Sequence, residues 1–222
     1  MIAPRTLVLF DVDGTLIDSQ VHILEAMKIA FSVQGLSLPS REEVLSIIGL
    51  SLFEAFEQLC PGADDAQRAA LVANFKKSFS ILRHTMGPSP LYPGALACLD
   101  LLKGVEHLVL GIATGKSRRG LDHVLSNPDL AGRFSTKQVA DDHPSKPDPA
   151  MVLQAMVETG AFRGVMIGDT SFDMKMGRAA GLKTIGVSWG YHSASVIGEN
   201  ADMVIDHFED LLPEIQNLWS DA

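Results

Sequence analysis

The sequence predicts an α/β fold: a Rossmann-like three-layer core around a parallel sheet, interrupted by an all-helical domain. Three observations carry this. Residues 7–10, 108–113 and 164–168 are continuous apolar runs, the mark of strands buried on both faces. Helical periodicity alternates with such runs through the second half of the chain. Between the first two runs lies a long stretch with helical spacing and no convincing strand.

Taken in order, the first strand covers 7–10 and ends at Asp11. Residues 18–90 then place Ile23, Met27, Ala30 and Phe31, Phe53, Phe56 and Leu59, and Leu71, Phe75, Phe79 and Leu82 at helical spacing. Turn signals at Gly35, Pro39, Pro61-Gly62 and 87–90 divide this stretch. A strand–helix–strand crossover needs about 30 residues, whereas Asp11 and Thr114 stand 103 positions apart. The excess of roughly 70 residues suffices for a helical module. Helices are expected at 95–103, 117–126, 149–159, 172–180 and 209–219, with strands at 108–113, 136–140, 164–168, 184–187 and 203–205. The expected division is a core of 1–17 and 91–222 with a helical insertion of 18–90.

Composition narrows the class. The 222 residues are 46% hydrophobic and 20% charged, with a mean hydropathy of +0.17, which excludes disorder. A net charge of −9 makes nucleic acid and anionic membrane poor partners but leaves a small anionic substrate open. Two cysteines, Cys60 and Cys98, form no CxxC pair. The apolar run near the start is short and meets Asp11 at once, so no signal peptide is expected, and no apolar stretch reaches spanning length. A soluble cytoplasmic protein, monomer or homodimer, is the expectation.

Four motifs carry chemistry. In Asp11-Val12-Asp13-Gly14-Thr15-Leu16, two carboxylates at i and i+2 follow a buried strand, where extended residues point the same way and a divalent cation would relieve their repulsion. An Asp-Gly turn ending a strand fits the same letters. Gly111 to Ser117 (GIATGKS) puts a hydroxyl and amides at a helix start, either an anion site or a cap by Ser117 and a turn at Gly115. Ser145-Lys146-Pro147-Asp148-Pro149 holds one lysine between prolines, which can neutralise a phosphate or merely meet solvent. In Gly168-Asp169-Thr170-Ser171-Phe172-Asp173, a second acid pair follows a second strand, a metal ligand with its support. Helix-dipole preference accounts for Asp173 but poorly for Asp169.

Acid pair, hydroxyl, lysine and acid pair, each at a strand-to-helix junction, together resemble the haloacid dehalogenase-like hydrolase superfamily. The insertion after DVDGTLIDS, with LYPGALACLDLL and ATGKSRRGLDHVL, is similar to the branch of phosphoglycolate phosphatases with a helical cap domain. The resemblance implies a Mg²⁺-dependent phosphomonoester hydrolase acting on a small phosphorylated metabolite, phosphoglycolate first. It implies Asp11 as nucleophile forming an aspartyl-phosphate and Asp13 as acid and base. Thr114, the Gly115 amide and Lys146 would hold the phosphoryl oxygens. The metal would be held by Asp11, the Asp13 main-chain carbonyl and Asp169, with Asp173 as support or further ligand.

Asp13 speaks against the dehalogenase and phosphonate-cleaving branches, which lack it. The sugar-phosphate mutase branch carries a cap histidine that aligns with Ile23, and His22 lies one residue off, so hydrolysis is favoured over a mutase. A phospho-accepting binding domain also places Asp, Thr and Lys at strand ends, but with the acceptor deeper in the chain and no helical insertion. Asp18-Ser19 and 87–90 are expected hinges. Lys28, Arg41, Lys76, Lys77, Arg83 and His84 could meet a second substrate anion or simply face solvent. Residues 111–117 fall short of a P-loop because position 110 is leucine. Gly186-Val187-Ser188-Trp189-Gly190 satisfies G-x-S-x-G, but too little chain follows to supply an acid and a histidine. No histidine pattern suggests zinc.

Overall fold

The computed structural model describes residues 4–219. Residues 1–3 and 220–222, included in the expected core and, at the start, in the reading of the leader, lie outside the described residues.

The apolar runs become β1 (Thr6–Phe10), β2 (Leu108–Thr114) and β4 (Arg163–Gly168) of one parallel sheet, joined by β3 (Thr136–Val139), β5 (Lys183–Val187) and β6 (Met203–Ile205). Their order is β3-β2-β1-β4-β5-β6, with every neighbouring pair parallel. This is the doubly wound order in which the chain reverses direction across the sheet beside β1, opening a crevice at the strands' carboxyl ends. All five residues of β1 are buried, and its alternation divides the core. Val8 and Phe10 pack with Leu99, Leu102, Ile167 and Leu211 on one face. Leu7 and Leu9 pack with Met151, Val152, Met166 and Met176 on the other. A strand between two helical layers has no polar face to show, hence its unbroken apolar run.

The stretch after β1 forms α1 (Gln20–Val33), α2 (Arg41–Ser46), α3 (Leu52–Leu59) and α4 (Asp65–Met86). These helices bury a cluster of their own around Met27, Phe31, Val44, Phe56, Leu71 and Phe75. Ser40 and Glu43 form a capping box at α2, and the Asp64 side chain accepts from the Gln67 N–H at 2.8 Å at the start of α4. The two crossings between sheet and helices run side by side. The Asp18 N–H donates to the Pro90 carbonyl at 2.9 Å, and the Tyr92 N–H to the Leu16 carbonyl at 3.0 Å.

The remaining helices are α5 (Ala95–Lys103), α6 (Arg118–Leu125), α7 (Ala150–Thr159), α8 (Ser171–Ala179), α9 (Ala194–Gly198) and α10 (Leu211–Asn217). Two differ from expectation. Five-residue α9 is too short to show a period. The segment expected as one helix begins as a 3₁₀ turn, Phe208–Asp210, before α10, where Pro213 stands in the first turn and needs no helical N–H partner. Among the described residues, no helix is long and apolar enough to cross a membrane, and Cys60 and Cys98 are both free thiols.

Candidate active site

Each motif lands at the carboxyl end of a strand. Asp11 follows β1, its N–H donating to the Ile167 carbonyl of β4 at 2.9 Å, so the sheet ladder itself fixes the start of its side chain. Thr114 is the last residue of β2 and is buried. Asp169 follows β4, and Asp173 stands in the first turn of α8. Lys146 comes from the loop before α7, and its side chain is wholly buried.

The structure brings these groups together. Lys146 Nζ lies 2.6 Å from Asp11 Oδ1 and 2.6 Å from Asp173 Oδ1. Asp173 Oδ2 accepts from the Thr170 hydroxyl at 2.7 Å and the Thr170 N–H at 3.1 Å, a capping box that also aims the carboxylate at the lysine. Asp169 accepts from the Thr15 hydroxyl at 3.1 Å and the Tyr191 N–H at 2.9 Å. Carboxylate oxygens of Asp11, Asp169 and Asp173 lie within 4.8 Å of one another, all buried. Gly14, at φ 86°, turns the chain so closely over this group that a Cβ there would stand 2.2 Å from Asp169 Oδ2.

Burial pushes the Asp11 carboxyl well above the usual carboxylate range; Lys146 opposes the rise, and the Asp173 and Asp13 charges add to it. Burial raises Asp169 likewise, reinforced by the charges of Asp173 and Asp11. On Lys146 burial works against the ammonium, but Asp11 and Asp173 outweigh it and hold the lysine charged. With all three carboxylates ionised, one ammonium would leave a deficit of two charges, which burial disfavours, and Asp11 Oδ2 is buried with no hydrogen-bond partner. An all-oxygen donor set, an orphaned oxygen and a deficit of two charges fit a hard divalent cation.

Asp13 lines the same cavity but has its own partners. Both its oxygens accept from Lys116 Nζ, at 2.7 and 2.6 Å, and it takes a short hydrogen bond from the Ser19 hydroxyl, which also meets the Tyr191 hydroxyl at 3.0 Å. Ser117 caps α6 through the Gly120 N–H at 3.2 Å, leaving Thr114 and Gly115 to the crevice. Gly115 is required by a close approach: a Cβ there would stand 2.5 Å from the Gly49 carbonyl oxygen and 2.6 Å from that of Leu50, where the α2–α3 loop descends onto the strand ends. The Ser51 N–H donates to the Ser145 hydroxyl at 2.8 Å in the same seam. The cavity between, about 290 Å³, is floored by Asp11, Asp13, Thr114 and Gly115 and roofed by Ile23, Met27, Phe75 and Phe79.

His22 is turned away from the cavity: its Nε2 meets the Gly87 carbonyl at 3.0 Å and its Nδ1 the Ser89 hydroxyl at 3.1 Å, tying α1 to the expected hinge. Of the cations singled out from sequence, Lys76 and Arg83 line the cavity, while Lys77 and His84 do not. Lys28 pairs with exposed Glu25, and Arg41 donates to Gln20 Oε1 at 2.7 Å. Sequence reasoning missed Arg119 in the lining, gave no role to Lys116, Thr15 or Tyr191, and read Ser19 as a hinge residue and not as a partner of Asp13. The repeated basic residues after GIATGKS were a signal for Arg119; nothing in local pattern marks Tyr191. In the G-x-S-x-G segment, the Ser188 hydroxyl donates to Asp206 at 2.5 Å, Gly186 lies in β5 against Ile197, and Gly190 presses against the Asp169 side chain, so only the last serves the turn beside the acids.

Fold and site together define an α/β enzyme whose acid-and-lysine centre lies beneath a helical layer. Comparison with known proteins agrees. The family described as haloacid dehalogenase-like hydrolase matches residues 8–187. The probable phosphatase IndB of Dickeya dadantii is 32% identical, covering 94% of this chain and 92% of its own. A phosphoglycolate phosphatase of Yersinia pseudotuberculosis is 31% identical over the same shares. The crystal structure of a hydrolase from Pseudomonas syringae, 25% identical, superposes with a TM-score of 0.85 over 97% of this chain and all of its own. The chain belongs to the haloacid dehalogenase-like hydrolases, and within them it is a phosphatase.

Proposed function

We propose that this phosphatase hydrolyses a small phosphorylated metabolite with Mg²⁺, through an aspartyl-phosphate on Asp11. In this reading residues 1–17 and 91–222 are the catalytic core and 18–90 the cap. The observation that carries it is the buried group of Asp11, Asp169, Asp173 and Lys146, with Asp11 at the cavity floor and its Oδ2 without a hydrogen-bond partner.

Lys146 holds Asp11 Oδ1, which fixes the carboxylate plane and leaves Oδ2 as the nucleophile toward phosphorus. Thr114, the Gly115 amide and Lys146 receive the phosphoryl oxygens as charge shifts among them. Asp13 gives a proton to the departing oxygen, then takes one from the water that splits the acyl phosphate. Lys116 and Ser19 orient its carboxylate for both. The metal would be held by Asp11, the Asp13 main-chain carbonyl and Asp169, with Asp173 as support or further ligand. When bound, Mg²⁺ supplies positive charge against the phosphoryl oxygens and the acids. The helical layer excludes bulk water and limits the site to small substrates.

Phosphoglycolate is the first substrate to try, since a relative bears that name. Ile23 in the lining, where the mutase branch carries histidine, and His22 committed to Gly87 and Ser89 favour hydrolysis over phosphoryl return to a sugar. Asp11→Asn is expected to cut Mg²⁺-dependent phosphate release by about 10³-fold or more, the scale on which losing a nucleophile acts, with an unchanged circular dichroism spectrum. Near-wild-type release from that variant would falsify the assignment.

A further inference from the structure

The roof of the cavity is apolar where a two-carbon leaving group would need nothing apolar. Ile23 and Met27 of α1 and Phe75 and Phe79 of α4 face the floor that holds Asp11 and Thr114. At about 290 Å³ the space lies at the lower edge of sites that enclose ligands of drug size, roughly 300–1,000 Å³.

The same lining carries two guanidinium groups, Arg83 from α4 and Arg119 from α6, one on each side of the crevice. Among the described residues neither has a carboxylate partner. The Arg83 guanidinium lies over the Phe79 ring at 5.5 Å, and its Nε is buried with no hydrogen-bond partner. Burial and the Arg119 charge both disfavour the charged form of Arg83, so the two cations are near enough to repel. The neighbouring charges do not relieve this. Lys116 is committed to Asp13, and the Asp141 carboxylate accepts the Arg118 N–H at 2.7 Å. Arg83 is half-buried with its Nε lacking a partner, Arg119 is exposed, and one guanidinium comes from each side of the crevice, so an anion entering it would meet both. A planar carboxylate matches the guanidinium fork and takes less of the cavity than a second phosphoryl group.

We propose that the substrate is a phosphomonoester whose leaving group has an apolar body, lying along Ile23, Met27, Phe75 and Phe79, and a carboxylate taken by Arg83 and Arg119. This rests on the phosphomonoesterase reading above. Phosphate release by the full chain with Mg²⁺ from phenyl phosphate, 4-carboxyphenyl phosphate and phosphoglycolate tests it. The carboxylated aryl ester is expected to show kcat/KM at least about tenfold above both others, the scale of one charge-assisted contact. Arg83→Gln and Arg119→Gln should each lower that value at least about tenfold more than they lower the value for phenyl phosphate. Residual turnover of phenyl phosphate in the same preparations reports that the variants fold. A smaller preference, phosphoglycolate as the better substrate, or variants that depress both aryl esters alike overturn the proposal and leave the phosphatase reading standing. If none of the three esters releases phosphate with Mg²⁺, the phosphatase reading itself falls, and this proposal with it.

Discussion

Asp13 stands two residues from Asp11, yet the two carboxylates meet different lysines, Lys116 and Lys146. Spacing i, i+2 put both on the crevice side, and both do line the cavity. Lys146 was legible through its own motif, but its pairing with Asp11 and that of Lys116 with Asp13 were not, because the lysines arrive from loops 135 and 103 positions away in sequence. Residues at strand ends were readable since an acid directly after an apolar run has few structural reasons to be there. Tyr191 and Ser19 were not, since a tyrosine in a turn and a serine before a helix are ordinary. The division between the lysines makes a prediction for Lys116, which in the proposed mechanism acts through Asp13 as a positioning residue. Lys116→Met should lower kcat about 10–100-fold on an alkyl phosphate, part of the range that positioned acid–base groups contribute. The loss should be several-fold smaller on a 4-nitrophenyl ester, whose leaving group departs without a proton. Equal losses on both esters would show that Lys116 does not work through proton transfer at Asp13.

At the scale of elements, β1, β2 and β4 stood out because a strand covered on both faces is apolar along its length, and that constraint is local, whereas β3 (TKQV) and the short β5 and β6 gave a weaker signal. Helices α1 and α4 were legible for a related reason: each has one buried stripe against the other. The short pieces were not. Six-residue α2 and five-residue α9 have no measurable period, and the α2–α3 loop that touches Gly115 is set by packing against the core. Capping offers a check on how far the helical layer's stability is separable from its chemistry. Asp64 caps the 22-residue α4 at its far end from Arg83. Asp64→Ala should cost about 1 kcal/mol, seen as a fall in Tm of about 2–4 °C for a chain of this length. The kcat/KM should change less than about twofold, because the cavity-lining residues Phe75, Phe79 and Arg83 lie three turns or more from the cap. A large kinetic loss without a thermal one would mean that the start of α4 moves with the site.

For the whole molecule, the net charge of −9 conceals a sorted distribution. Three acids share one buried ammonium at the strand ends, a deficit of two charges when all are ionised, while Arg83, Arg119 and Lys76 line the cavity above them. Such a core is under electrostatic tension when no cation is bound, and the sign of the effect can be read from stability. Asp169 contributes one of the three charges and accepts from Thr15 and Tyr191. Asparagine at that position keeps an acceptor for the Tyr191 N–H and can donate to the Thr15 hydroxyl, so the main loss is the charge. In chelator, Asp169→Asn should therefore be more stable than the wild type by about 1 kcal/mol, or about 2–4 °C in Tm. With Mg²⁺ at about a hundred times its Kd, the wild type gains about 2.7 kcal/mol and overtakes the variant, whose own Mg²⁺ response should be nearly absent. Thermal melts of both proteins with and without Mg²⁺ decide this without any assay of turnover. A variant that keeps the full Mg²⁺-induced rise, or a wild type that shows none, would mean that the buried acids are balanced within the protein and not by a metal.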